Sequence, residues 1–113
     1  MIRFYYMRRR IPKRFFQQIA RRIGEVAHPQ KVILFGSYAY GRPRTGSDID
    51  LLIIMETRER PVKRAENVSR RLYPQPYPMD ILVRTPAEVK KRLHLGDPFI
   101  REVISRGKVL YEK

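Results

Sequence analysis

Residues 31–55, KVILFGSYAYGRPRTGSDIDLLIIM, hold two apolar runs separated by a turn and a polar loop. The first run, Val32 to Phe35, breaks at Gly36-Ser37, and the second, Leu51 to Met55, follows Asp48-Ile49-Asp50. Both have the length, branching and glycine boundary of buried strands, which predicts strands over 31–35 and 48–55. Side chains alternate along a strand, so Asp48 and Asp50 are expected on one face, roughly 7 Å apart at about 3.4 Å per residue. Two carboxylates at the mouth of an apolar strand repel one another and lose hydration, and a cation between them relieves both costs. Hard oxygen ligands suit magnesium, which keeps its other positions for water and substrate phosphates.

Gly36 lets the backbone turn sharply and approach a ligand closely. Ser37 is placed to cap a short helix through about Tyr40, whose free N–H groups would face an anion. A triphosphate held there would lie beside a metal held by the aspartates. The pattern predicts phosphoryl chemistry.

The 113 residues suit one domain, 1–113, with a single modest core. With no cysteine, disulfides and thiolate metal sites are excluded. No apolar run is long enough to span a membrane and the N-terminus does not read as a signal peptide, so a cytoplasmic protein is expected. Lys and Arg total 25 against 11 acidic residues, a net charge of +14. Such a chain favours polyanions or an acidic protein, and an arginine-rich thermophilic surface would look the same. Aspartates are scarce: Asp48, Asp50, Asp80 and Asp97. Surface solubility would not place three of them at strand positions.

Residues 1–11 form an aromatic and basic segment with Arg8-Arg9-Arg10 in a row, read as an arm or a frayed terminus. After Pro12, apolar residues from Phe15 to Ala27 recur at spacings of three and four, which marks an amphipathic helix ending before His28-Pro29. Pro61 opens a second helix with Val62, Ala65, Val68 and Leu72 inward and Lys63, Arg64, Arg70 and Arg71 outward. A third strand covers 79–83. Its Asp80 is costly in an apolar strand unless metal-bound, at an edge or paired with an arginine. Thr85-Pro86-Ala87-Glu88 is a capping box opening a helix over 86–94, Asp97 caps another that Gly107 ends, and Val109 to Tyr111 add a small strand.

Gly36-Ser37, the ten-residue spacer and Asp48-x-Asp50 resemble the signature of the nucleotidyltransferase superfamily that includes DNA polymerase beta and kanamycin nucleotidyltransferase. The brevity of the chain makes it similar to the minimal nucleotidyltransferases, the MNT proteins paired with HEPN toxins. The resemblance implies an α/β (α+β) nucleotidyltransferase fold: a small mixed sheet with helices mainly on one face. It implies two magnesium ions on Asp48 and Asp50, with Asp80 as the third carboxylate, ligand or base. Gly36 and Ser37 would grip the phosphates of ATP, attack would fall on the α-phosphorus, and pyrophosphate would leave. Family members commonly carry an Arg where Tyr40 stands, and Arg42 or Arg44 is the expected substitute in nucleotide binding.

Larger relatives hold the acceptor with a second domain, so a partner is expected to supply it here. The leading expectation is AMP transfer to a tyrosine hydroxyl of a HEPN toxin, which makes the protein an antitoxin. An RNA nucleotidyltransferase, favoured by the charge, and a catalytically idle antitoxin acting by binding alone are the alternatives. A homo-oligomer and a hetero-complex are both open.

Overall fold

The computed structural model describes residues 11–44 and 46–113. Of the basic segment expected over 1–11 only Ile11 lies among them, and Thr45 of the polar loop lies outside. In chain order the elements are α1 (Lys13–Ala27), β1 (Lys31–Phe35), α2 (Ser37–Tyr40), β2 (Ile49–Ile54) and α3 (Pro61–Leu72). They continue with β3 (Met79–Arg84), α4 (Pro86–His94), α5 (Pro98–Arg106) and β4 (Lys108–Glu112).

The strands form one mixed sheet in the order β3-β2-β1-β4. β1 runs antiparallel to β2 and β4, whereas β2 and β3 run parallel. Alternation along the central strands divides the core in two. Val32 and Leu34 of β1 and Ile49, Leu51 and Ile53 of β2 meet Ile19 and Ile23 of α1 and Val68 and Leu72 of α3. The intervening Ile33, Phe35, Leu52 and Ile54 meet Val89 of α4 and Ile100 and Val103 of α5. The two long helices thus share one face of the mixed sheet, and a shorter pair covers the reverse.

Local chemistry sets the helix boundaries. α1 ends where His28 turns left-handed and donates its N–H to the carbonyl of Gly24. Thr85 and Glu88 form the reciprocal capping box of α4. The Asp97 side chain accepts the N–H groups of Phe99 and Ile100 at the start of α5.

α3 departs from its expected facing. Val62 is 77 % exposed, whereas Arg64 is only 8 % exposed. The Arg64 Nε donates to the carbonyl of Glu59 at 2.7 Å, and its two terminal nitrogens reach the Glu88 carboxylate at 2.7 and 3.3 Å. A weaker contact to the Val83 carbonyl, at 3.4 Å, completes the set. A guanidinium with its donors so occupied can be buried where an unpaired charge could not.

Candidate active site

The carboxyl end of β1 and the amino ends of β2 and β3 meet at one edge. The parallel register pairs Asp50 with Asp80, and the antiparallel register pairs Asp50 with Phe35, the residue before Gly36. β2 opens at Ile49, so Asp48 stands just before the strand rather than in it. Asp48 and Asp80 are exposed and Asp50 is half-buried. The even-numbered Asp50 and Asp80 share the face that carries Leu52, Ile54 and Leu82, the face of α4 and α5.

Burial pushes the Asp50 carboxyl above the usual carboxylate range, and the charges of Asp80 and then Asp48 push it further. Among the described residues none of the three aspartates makes an ion pair, despite the excess of arginine. Nor, among those residues, do three His, Cys, Asp or Glu side chains already stand in metal-holding geometry. The edge is therefore a set of mutually repelling carboxylates. This donor chemistry fits a hard divalent cation, whose charge would offset the repulsion and draw the carboxylates together.

Gly36 is shaped for this neighbour. Its φ of 73° and ψ of −161° lie in a region open essentially to glycine alone, and a Cβ there would overlap the Asp50 carboxylate. The sharp turn expected at Gly36 is thus present. The expected Ser37 cap is not: Gly36 occupies the cap position of α2 and no side chain caps the helix. Ser37 instead accepts the N–H groups of Gly41 and Arg42 on its carbonyl, at 3.1 and 3.0 Å. That bond ties the backbone of Arg42 to the turn, while the residue is exposed, as is Arg44.

Tyr40, at the end of α2, is half-buried and packs against both cores. The Arg106 guanidinium carbon lies 4.3 Å from the centre of its ring. Burial and the Glu102 charge raise the Tyr40 hydroxyl, and the Gly36 backbone and Arg106 oppose them. The sequence offers no periodicity or spacing that would pair residues 40 and 106.

A groove of about 650 Å3 opens at the other end of the same strands, beside Lys31 and Ile54, with Val89 and Leu93 of α4 in its wall.

A family profile described as "Polymerase beta, Nucleotidyltransferase" matches residues 17–113. The chain belongs to the polymerase beta nucleotidyltransferase family. The matched span takes in every strand and the whole carboxylate edge. No curated protein matches the sequence of this nucleotidyltransferase at a significant level. Among solved structures it is similar to a chain in the crystal structure of a mutant of the toxin–antitoxin MntA–HpeT. That likeness has a TM-score of 0.52 and 18 % identity, and covers 87 % of this chain and 73 % of the other. At that identity the likeness speaks for the fold. Among the described residues, no helix is long and apolar enough to cross a membrane.

Proposed function

We propose that this nucleotidyltransferase moves AMP from ATP to a tyrosine hydroxyl of a partner HEPN toxin and so acts as its antitoxin. One observation carries the chemistry. Asp50 and Asp80 are register partners on adjacent parallel strands, Asp48 lies two residues from Asp50, and none of them has a cationic partner among the described residues of a chain with a net charge of +14. Charges left unpaired amid so many arginines fit a site that acquires its counter-charge with the substrate.

Asp48, Asp50 and Asp80 would hold magnesium, two ions in the reading adopted here, which when bound neutralises the triphosphate and makes the acceptor hydroxyl more acidic. The turn at Gly36 and Ser37 leaves backbone open to the phosphates, and Arg42 supplies a cation beside it. The tyrosine oxygen of the partner bonds to the α-phosphorus as the bond from that phosphorus to the bridging oxygen breaks, and pyrophosphate leaves. The phenolic proton passes to the Asp80 carboxylate, exposed at the edge where an acceptor can reach it. The open surface around the aspartates suits an acceptor brought by another macromolecule, and the resemblance to a chain of a toxin–antitoxin complex supports a toxin in that role.

A second reading, transfer to RNA, is favoured by the exposed outer faces of α1 and α3. These carry Lys13, Arg14, Arg21 and Arg22, then Lys63, Arg70 and Arg71. The test is a transfer assay with magnesium and ATP labelled at the α-phosphate, in lysate of the source cells, beside an Asp48→Asn/Asp50→Asn control. Label on a discrete protein band, absent from the control, is expected. Label on RNA would move the reading to a nucleic-acid transferase, and no label on any macromolecule would leave antitoxin action by contact alone.

A further inference from the structure

We propose that Arg106, stacked on Tyr40 beside the Gly36 turn, is a nucleotide-binding residue that receives the β- and γ-phosphates of the incoming nucleotide. The inference rests on the nucleotidyltransferase reading above and adds to it a residue from the far end of the chain.

Three contacts place Arg106. The pairing of β1 with β4 ends at Leu34 opposite Lys108, so the residues just before β4 lie beside the end of β1 that leads into Gly36. Gly107 packs so closely on this strand that a Cβ there would meet the Ile33 side chain and the Leu34 carbonyl. α5 is anchored to the same strand by Phe99, whose ring meets that of Phe35 edge-on at 5.5 Å. Arg106, the last residue of α5, therefore has a fixed origin. Its guanidinium is then steadied on the face of Tyr40.

Tyr40 joins this cation to the site. It lies four residues beyond Gly36, donates its backbone N–H to the Gly36 carbonyl at 3.0 Å, and senses the Asp50 charge. Arg106 retains donors for a ligand. Its ion pair with Glu102 is long, 3.9 Å, and the side chain is well exposed. A guanidinium stacked on a ring keeps its planar fork free for two parallel bonds to phosphate oxygens. By contrast, Arg42 and Arg44 are exposed loop residues: the Arg42 backbone N–H donates to the Ser37 carbonyl, and the Arg44 backbone bonds with Ser47 in the loop. The geometry favours the stacked arginine as the pre-positioned one.

The test measures binding of ATP and of AMP, each with magnesium, to the full chain and to Arg106→Ala and Tyr40→Leu. Arg106→Ala is expected to weaken ATP binding on the order of tenfold, as the loss of a charge-assisted bond does, while AMP affinity stays nearly unchanged. Tyr40→Leu should give a smaller loss of the same kind, because the cation remains but is no longer steadied. Arg106→Lys should recover only part, since an ammonium cannot present the planar fork. Equal losses for ATP and AMP, or no loss for either, would overturn the assignment of Arg106. Failure of the unaltered chain to bind ATP at all would instead strike the nucleotidyltransferase reading on which it rests.

Discussion

A side chain on Gly36 would collide with the carboxylate of Asp50, so the turn after β1 and the carboxylate of β2 fit together only while residue 36 has no Cβ. The φ of 73° reinforces the requirement.

Gly36→Ala is expected to destabilise the fold by about 1–3 kcal/mol from backbone strain, with overlap against Asp50 added. It should lower nucleotidyl transfer on the order of a hundredfold by moving that carboxylate. Gly41→Ala is the control. Its φ is 88°, but a Cβ there meets nothing within 4 Å, so only a strain of about 1 kcal/mol is expected and activity should survive. Thermal unfolding and a transfer assay on both variants check the pair.

Asp50 predicts a conflict between stability and activity. Its folded-state carboxyl is raised by burial and by Asp80 and Asp48, so its charged form is disfavoured in the folded protein without metal. The unfolded chain loses this proton first, so as pH rises from the ordinary carboxylate range through the raised folded value, the group costs stability, and the cost persists at neutral pH. Asp50→Asn removes the cost. In chelator at neutral pH the variant is expected to melt higher than the parent, with the gap closing as pH falls, while transfer with magnesium is lost. A variant that melts at or below the parent at neutral pH would contradict the repulsion argued for this edge.

The strands and most helix ends were legible because their causes are local. Pro12, the capping box at Thr85 and Glu88, the Asp97 cap and the runs of Val, Ile and Leu each act within a few residues. The carboxylate edge was legible in part: Asp48 and Asp50 are near neighbours in sequence, and Asp80 stood out as a carboxylate opening an apolar strand. Three features were not legible. Ser37 could be read as a cap by residue type alone, whereas Gly36 takes that position through its backbone. Arg64 looks like one more basic residue on a polar face, because its burial depends on Glu88, 24 positions away. Arg106 reaches Tyr40 only through the pairing of β4 with β1. Residue type and period carry no information about such partners.

The Arg64–Glu88 pair ties α3 to α4 near Val83, at the end of β3 away from Asp80, so its loss should affect stability more than transfer. The two partners are unequally exposed, 8 % for Arg64 and 39 % for Glu88. Glu88→Gln strands a buried guanidinium and is expected to cost about 3 kcal/mol. Arg64→Met leaves a carboxylate that water can reach, and about 1–2 kcal/mol is expected. Arg64 holds the Glu88 carboxyl below its usual range, so the pair's contribution is complete above the ordinary carboxylate range and fades as pH falls through the lowered folded value. Denaturant unfolding of the parent and Glu88→Gln between neutral and acid pH should therefore show curves that converge on the acid side.

Gly107 links the packing of α5 to the site. A Cβ at this position would overlap the Val103 carbonyl and press on Ile33 and Leu34, and these are backbone or core groups that cannot swing away. Its φ of −66° suits any residue, so the expected defect is steric rather than conformational. Gly107→Ala should cost about 1–3 kcal/mol, as overpacking does, by lifting the end of α5 from β1. Because Arg106 is the residue before it, the same lift should draw the guanidinium off Tyr40 and weaken ATP binding while AMP binding changes little. Adding Arg106→Ala to Gly107→Ala should then bring little further loss of ATP affinity, since both changes remove one interaction. Losses that add in full would mean that Gly107 acts on the site by a route other than Arg106.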